Sequence, residues 1–251
     1  MLFRSNQTYS SMVSAHNRRT VRKTSIRFIT VNRIFEALQH RNHPNRWLFF
    51  VADVKKDANI YTMFDITDKS FIEKLNKHLN NGGVIAFPTD TVWGLGALPN
   101  QMGADALFET KQRPHEKHLI IMSDCLDHIQ KYMSGYPDIA FDLAKKYWPG
   151  ALTIGVPVQD TETMSFGAVR VPNYKPFQDL CRIIDGHCLA TSSANISGQP
   201  VLTDPDAIRA QFPNIIVIDN AYEKMGGQPS TVVILENHKM NIVRQGAVVI
   251  E

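Results

Sequence analysis

The sequence predicts an α/β domain on a twisted, mostly buried mixed sheet with flanking helices. Three observations point there. From Met63 onward, short apolar runs of strand length alternate with segments of helical periodicity. The runs lack a polar alternation, as in strands covered on both faces. Polar clusters fall at the ends of those runs, where open α/β sheets place ligand sites.

The elements follow in order. Asp68 is a candidate N-cap, with Phe71, Ile72, Leu75 and Leu79 on one helical face and Gly82-Gly83 as the stop. Val84 to Phe87 reads as a buried strand leading into a flexible Gly94-Leu95-Gly96 segment. Residues 104–111 read as a helix through Ala104, Leu107 and Phe108, and 119–122 as a strand. Ile139, Leu143 and Tyr147 mark a helix stopped by Trp148-Pro149-Gly150. Strands are expected at 152–156 and 168–171, a helix at 176–184 with proline in its first turn, and strands at 188–191, 215–218, 231–235 and 241–244.

Composition narrows the class. A chain of 251 residues with 43% hydrophobic and 20% charged residues has the make-up of a soluble globular protein. The densest uncharged apolar stretch, Trp47 to Ala52, is far short of the ~18 residues of a membrane span. Cys125, Cys181 and Cys188 form no CxxC pair and no metal spacing; they read as small buried hydrophobes in a reducing, cytoplasmic compartment. No metal-ligand set is expected from the protein itself.

Charge is uneven. Residues 1–62 hold 11 Lys and Arg against three acids, Glu36, Asp53 and Asp57, whereas the remainder is net acidic. Residues 1–62 are therefore expected to be a basic extension: a disordered tail, or translated sequence upstream of a later start at Met63. An organelle transit peptide over residues 1–35 and a basic RNA-binding arm are the alternatives. Residues 63–251 are expected to be the functional folded domain, able to fold from Met63 without the extension.

Several nucleotide signatures are missing. The chain has no GxxxxGK[ST], Gly94-Leu95-Gly96 lacks a third glycine, and His115-Glu116-Lys117-His118 is not HExxH. What remains is six polar clusters: Thr89-Asp90-Thr91; Lys111-Gln112-Arg113 with Lys117; Arg170; Thr191-Ser192-Ser193-Ala194-Asn195; Ser230; and Arg244. Singly, most read as caps, turns or cations at a helix C-terminus. Arg170 is different, because an arginine between Val169 and Val171 in a strand needs a partner for its charge. Together the clusters suit an anionic small molecule such as a nucleotide, with a small carboxylate beside it.

The segments PTDTVWGLG (88–96), KQRPHEKHLII (111–121), WPGALT (148–153), AVRVP (168–172), TSSANISGQP (191–200), PSTVV (229–233) and VRQG (243–246) occur in this order. Together they resemble the YrdC-like threonylcarbamoyl-AMP synthases, short single-domain type, over about residues 66–250. The resemblance implies a YrdC-like fold around a deep, basic cavity. It implies a nucleotidyltransferase that joins ATP, L-threonine and bicarbonate into threonylcarbamoyl-AMP and pyrophosphate, with Mg²⁺ accompanying ATP. Thr91, Arg170, Thr191 and Ser230 would contact L-threonine. Lys111, Arg113, Ser193 and Asn195 would carry catalysis, and Arg113, Lys117, Ser193 and Arg244 would bind ATP. Two positions depart from longer members: Met122 stands where they have a histidine, and Val201 where they have a serine. The product would pass to a tRNA threonylcarbamoyl-transferase. Two other functions stand beside this one: a non-catalytic RNA-binding or ribosome-maturation factor that contacts tRNA or double-stranded RNA, and a carbamoyl-adenylate former acting on another substrate.

Overall fold

The computed structural model describes residues 48–52, 61–114, 118–157, 166–219, 225–236 and 239–251. Two strands, β1 (Leu48–Ala52) and β2 (Tyr61–Asp65), pair antiparallel as a separate ribbon, from Leu48↔Asp65 to Ala52↔Tyr61. The expected domain boundary at 62/63 falls inside β2, and the compact unit runs from Trp47 to Glu251. The apolar run 47–52 was the signal for this ribbon.

Helix α1 (Lys69–Asn80) follows. Asp68 caps it, its carboxylate accepting from the Ser70 and Phe71 amides at 2.9 and 3.4 Å. The Phe71, Leu75 and Leu79 face is buried as the spacing predicts, each side chain contributing about 1.5–3 kcal/mol. The chain continues as β3 (Ile85–Phe87), β4 (Gly94–Ala97), α2 (Gln101–Lys111), β5 (Leu119–Ser123), α3 (Leu126–Ile129), α4 (Asp138–Tyr147), β6 (Leu152–Gly155) and β7 (Phe166–Arg170). It ends with α5 (Lys175–Ile183), β8 (Cys188–Ser193), α6 (Pro205–Gln211), β9 (Ile216–Val217), β10 (Thr231–Glu236) and β11 (Lys239–Arg244).

These strands form one mixed nine-stranded sheet in the order β11-β10-β6-β7-β5-β8-β4-β3-β9. The expected flexible segment is in fact β4, antiparallel to both β3 and β8 and fully buried. Its glycines have a packing reason. A Cβ on Gly96 would sit 2.6 Å from the Phe87 ring, so only glycine lets that ring lie across the strand. Helix α4 lies where Ile139, Leu143 and Tyr147 place it, but its buried face is Ala140, Leu143 and Ala144, with Ile139 exposed.

Ladder register decides which side chains share a face, because directly opposed residues point the same way and neighbours along a strand alternate. Ile121, Ala190, Val169, Ile154 and Val233 point to one face and pack under Ala104, Leu107, Ala140 and Leu143 of α2 and α4. The other face splits in two. Ile85, Phe87, Met122 and Leu189 are covered by Phe71, Leu75, Phe177 and Leu180 of α1 and α5. Farther along the same face stand polar residues, because Thr191 opposes Ile120, Ile120 opposes Ala168, and Arg170 is two residues beyond.

Candidate active site on one face of the sheet

That register gathers most of the expected residues. Ser193 and Thr191 come from β8, Arg170 from β7, Thr153 from β6 through the pairing of Gly155 with Ala168, and Arg244 from β11, opposite Val232 and hence Thr153. Four strands of the sheet thus present hydroxyls and cations to one surface.

Arg170 is its centre and is only 2% exposed. Its Nε donates to the Gly150 carbonyl at 3.0 Å, NH1 to Thr91 Oγ1 at 3.0 Å, and NH2 to Asp90 Oδ1 at 2.5 Å. Burial pushes the guanidinium below its ordinary value, and the Asp90 charge opposes that shift. Asp90 is the partner that Arg170 required. It stood in the Thr89-Asp90-Thr91 cluster without a role, since a contact across 80 residues leaves no local pattern. Its other oxygen accepts from the Asn173 amide at 3.0 Å, tying the loop before β4 to the chain after β7. Thr89 stiffens the loop by donating to the Val92 carbonyl at 2.7 Å.

Ser230 lies beside it. Its Oγ shares a hydrogen bond with Thr153 Oγ1 at 2.9 Å and accepts from Arg244 NH2 at 3.0 Å, while Arg244 Nε donates to the Ser230 carbonyl at 2.9 Å. The Arg244 charge is felt at Arg170, which puts two guanidinium groups in one neighbourhood. Thr153 is a further polar residue of this face. Its place in an apolar strand gave no sign of it.

Lys111, at the last turn of α2, is 1% exposed and surrounded by oxygen. Its Nζ donates to the Ser193 carbonyl, to the Asn195 carbonyl at 2.7 Å and to Asn195 Oδ1 at 3.2 Å. Burial, and next the charge of Arg113, lower its ammonium to about 7. Asn195 Oδ1 also accepts from Ser193 Oγ at 2.6 Å, and its Nδ2 donates to the Ile196 and Gln199 carbonyls at 2.8 and 2.7 Å. The expected Lys-x-Arg and Ser-x-Asn elements therefore meet through Lys111. An ammonium has three N–H donors, and all three are engaged. Lys111 acts here by its charge and by holding residues 193–195; it touches a bound phosphate only if one of those bonds opens.

Arg113 is half-buried and its NH2 donates to the His118 carbonyl at 2.9 Å. Thr191 is buried, and its hydroxyl donates to the Ile120 carbonyl at 2.8 Å, which leaves its lone pairs to accept. Lys117 lies outside the described residues. An open hollow of about 430 Å³ lined by Asp105, Phe108, Glu109, Gln112, Arg113 and Pro114 meets the site only at Arg113, and its two carboxylates make it a poor phosphate seat. Among the described residues, no helix is long and apolar enough to cross a membrane.

A mixed α/β sheet thus carries the buried Arg170, the exposed Arg244 and several hydroxyls on one face, a chemistry suited to anionic ligands. The Sua5/YciO/YrdC family model, described as telomere recombination, matches residues 77–246. The chain belongs to this family. It is 32% identical over 179 residues to the threonylcarbamoyl-AMP synthase of Idiomarina loihiensis, covering 66% of this chain and 92% of that one. It is 34% identical over 191 residues to the enzyme of the same name from Pseudoalteromonas translucida, covering 70% and 98%. Among solved structures it is similar to Pyrococcus abyssi Sua5 complexed with L-threonine, with a TM-score of 0.62 and 31% identity over 70% of this chain and 54% of that chain.

Proposed function

We propose that this protein is a nucleotidyltransferase that forms threonylcarbamoyl-AMP from ATP, L-threonine and bicarbonate, the first step towards threonylcarbamoyladenosine in tRNA. The observation that carries the reading is Arg170, buried with Thr91 and Asp90 as partners in a chain whose relatives bear the name of that activity.

The threonine amine attacks the carbon of bicarbonate, with loss of water, or of CO₂, with loss of a proton, to give a carbamate. A carbamate oxygen then attacks the α-phosphorus of ATP, the bond to the β-phosphate oxygen breaks, and pyrophosphate leaves. No protein nucleophile is required; the protein supplies proximity, worth about 7–11 kcal/mol in favourable cases, and cations against the growing phosphate charge. A guanidinium has five donors, of which Arg170 spends three on Gly150, Thr91 and Asp90. One N–H on each terminal nitrogen is left, so Arg170 receives the L-threonine carboxylate without giving up Asp90. Thr91, Thr191 and Ser230 hold the rest of the amino acid. Lys111, Arg113, Lys117, Ser193, Asn195 and Arg244 form the ATP side, the basic cavity of this reading, and Mg²⁺ arrives on ATP with phosphate oxygens and water as ligands.

The product passes to a tRNA-modifying transferase in the cytoplasm, and the net positive residues 1–62 carry a charge suited to tRNA. Pyrophosphate release from ATP tests the reading. Release that requires both L-threonine and bicarbonate is expected, and ADP with inorganic phosphate as products would refute it.

A further inference from the structure

The three cysteines of the chain come from three separate elements, yet they meet at the ends of β5 and β8. Cys181 on α5 is fully buried, and burial, with the nearby Asp124 charge next, pushes its thiol up. Cys188 opens β8 opposite Ser123, and its thiol donates to the His128 carbonyl at 3.4 Å. The expectation of small buried hydrophobes holds for Cys181 and Cys188, whereas Cys125 is half-buried among polar groups.

His128 Nδ1 lies 2.7 Å from Asp124 Oδ1 and 3.3 Å from Cys125 Sγ. A ring nitrogen has one in-plane direction, filled by one N–H or one lone pair. A proton there bonds the carboxylate and reaches the sulfur only as a weak third centre, whereas one cation between the three atoms engages all of them. Asp124 Oδ1, Cys125 Sγ and His128 Nδ1 all lie within 4.8 Å of one another. Their types, O, S and N, are those zinc selects.

We propose that Asp124, Cys125 and His128 form a binding site for a thiophilic divalent cation of zinc type, with water as the fourth ligand. Tetrahedral zinc places N and O ligands about 3.3 Å apart and N and S ligands about 3.6 Å apart. Seating the ion thus needs the carboxylate and imidazole to part by about 0.6 Å from their 2.7 Å contact, within the reach of side-chain rotation. The surroundings hold the ligands in place. Arg182 Nε binds the other carboxylate oxygen, Oδ2, at 3.2 Å, the Ser123 hydroxyl donates to the His187 carbonyl at 2.7 Å, and the His187 ring stacks on His128 at 4.3 Å. Ligands supported from behind in this way are oriented before the metal arrives. The ion fastens α3 to the end of β5, and its binding releases the Cys125 thiol proton. The spacing D-C-x-x-H holds a single cysteine and matches no familiar zinc signature, so the expectation of no metal spacing is at odds with this cluster.

The test uses the full chain, stripped with a chelator and titrated with Co²⁺ as the probe. One equivalent should produce a thiolate-to-cobalt charge-transfer band that Zn²⁺ then abolishes. Cys125→Ser should lose the band, His128→Gln should weaken binding on the order of tenfold or more, and Cys181→Ser should keep it. In the unmutated chain, Zn²⁺ should protect Cys125 from iodoacetamide, read by peptide mass spectrometry, which keeps the test open if a variant does not fold. Absence of the band from the unmutated chain, a band that survives Cys125→Ser, or alkylation of Cys125 unaffected by Zn²⁺ overturns the site.

Discussion

Arg170 NH2 meets Asp90 Oδ1 at 2.5 Å, and this one ion pair joins the loop before β4 to the end of β7 across 80 residues of chain. It fixes the plane of the guanidinium, and the third bond, from NH1 to Thr91, fixes the hydroxyl next to it. A carboxylate entering this corner finds its donors already oriented.

Arg170→Ala should raise the requirement for L-threonine far more than that for ATP, a loss of about 2–5 kcal/mol on the threonine side. It should also lower stability by about 1.5–3 kcal/mol, since the half-buried Asp90 loses its charged hydrogen-bond partner. Arg170→Lys should be impaired as well, because an ammonium cannot offer the same planar fork. Steady-state kinetics in each substrate, with urea unfolding alongside, decide it; a change confined to ATP would reverse the assignment.

Asn195→Ala removes the acceptor of both Ser193 Oγ and Lys111 Nζ. Leaving such donors unsatisfied costs about 1–3 kcal/mol. The variant should unfold at lower urea and show a raised KM for ATP with a near-normal KM for L-threonine. An unchanged ATP response would separate this network from the nucleotide.

Lys111 gives a pH signature. Its folded value is lowered to about 7 by burial, with Arg113 adding to the effect, while the unfolded chain keeps the proton up to about 10.4. Between these limits the unfolded chain binds more protons, so stability rises with pH there. The unmutated protein should gain stability relative to Lys111→Met from about pH 7 to about pH 9, by at most about 1.4 kcal/mol per pH unit. Parallel stability curves for the two proteins would mean that Lys111 stays fully charged.

Gly96→Ala should destabilise the domain by about 1–3 kcal/mol through overpacking. The added Cβ would meet the Phe87 ring at 2.6 Å, and that ring is already held against Phe177 at 5.0 Å between centroids. A melting temperature equal to that of the unmutated protein would show that the ring can move.

What the sequence made legible follows from how local each signal is. Asp68, Phe71, Leu75 and Leu79 announced α1 because a cap and a 3.6-residue repeat lie within one window. Arg170 announced itself by its apolar neighbours, but Asp90 did not, because the partner is set by register and not by spacing. Gly94 and Gly96 looked like a loop since glycine disfavours strands; packing against Phe87 overrides that preference. Helix α6 was missed because it is seven residues long and buries only Ile208, although Asp204 before Pro205 is a sound start signal. The convergence of Lys111 with Ser193 and Asn195 depends on α2 ending beside β8, which no pattern in either segment encodes.

The central claim is the identity of the product, and isotope incorporation tests it most directly. The protein is incubated with ATP, L-threonine and ¹³C-bicarbonate, and the nucleotides are read by mass spectrometry. The account predicts an AMP-linked threonine adduct that carries the label, formed together with pyrophosphate and absent when L-threonine is left out. Labelled adduct formed without L-threonine, or ATP consumed with no label in any AMP-linked product, would contradict it.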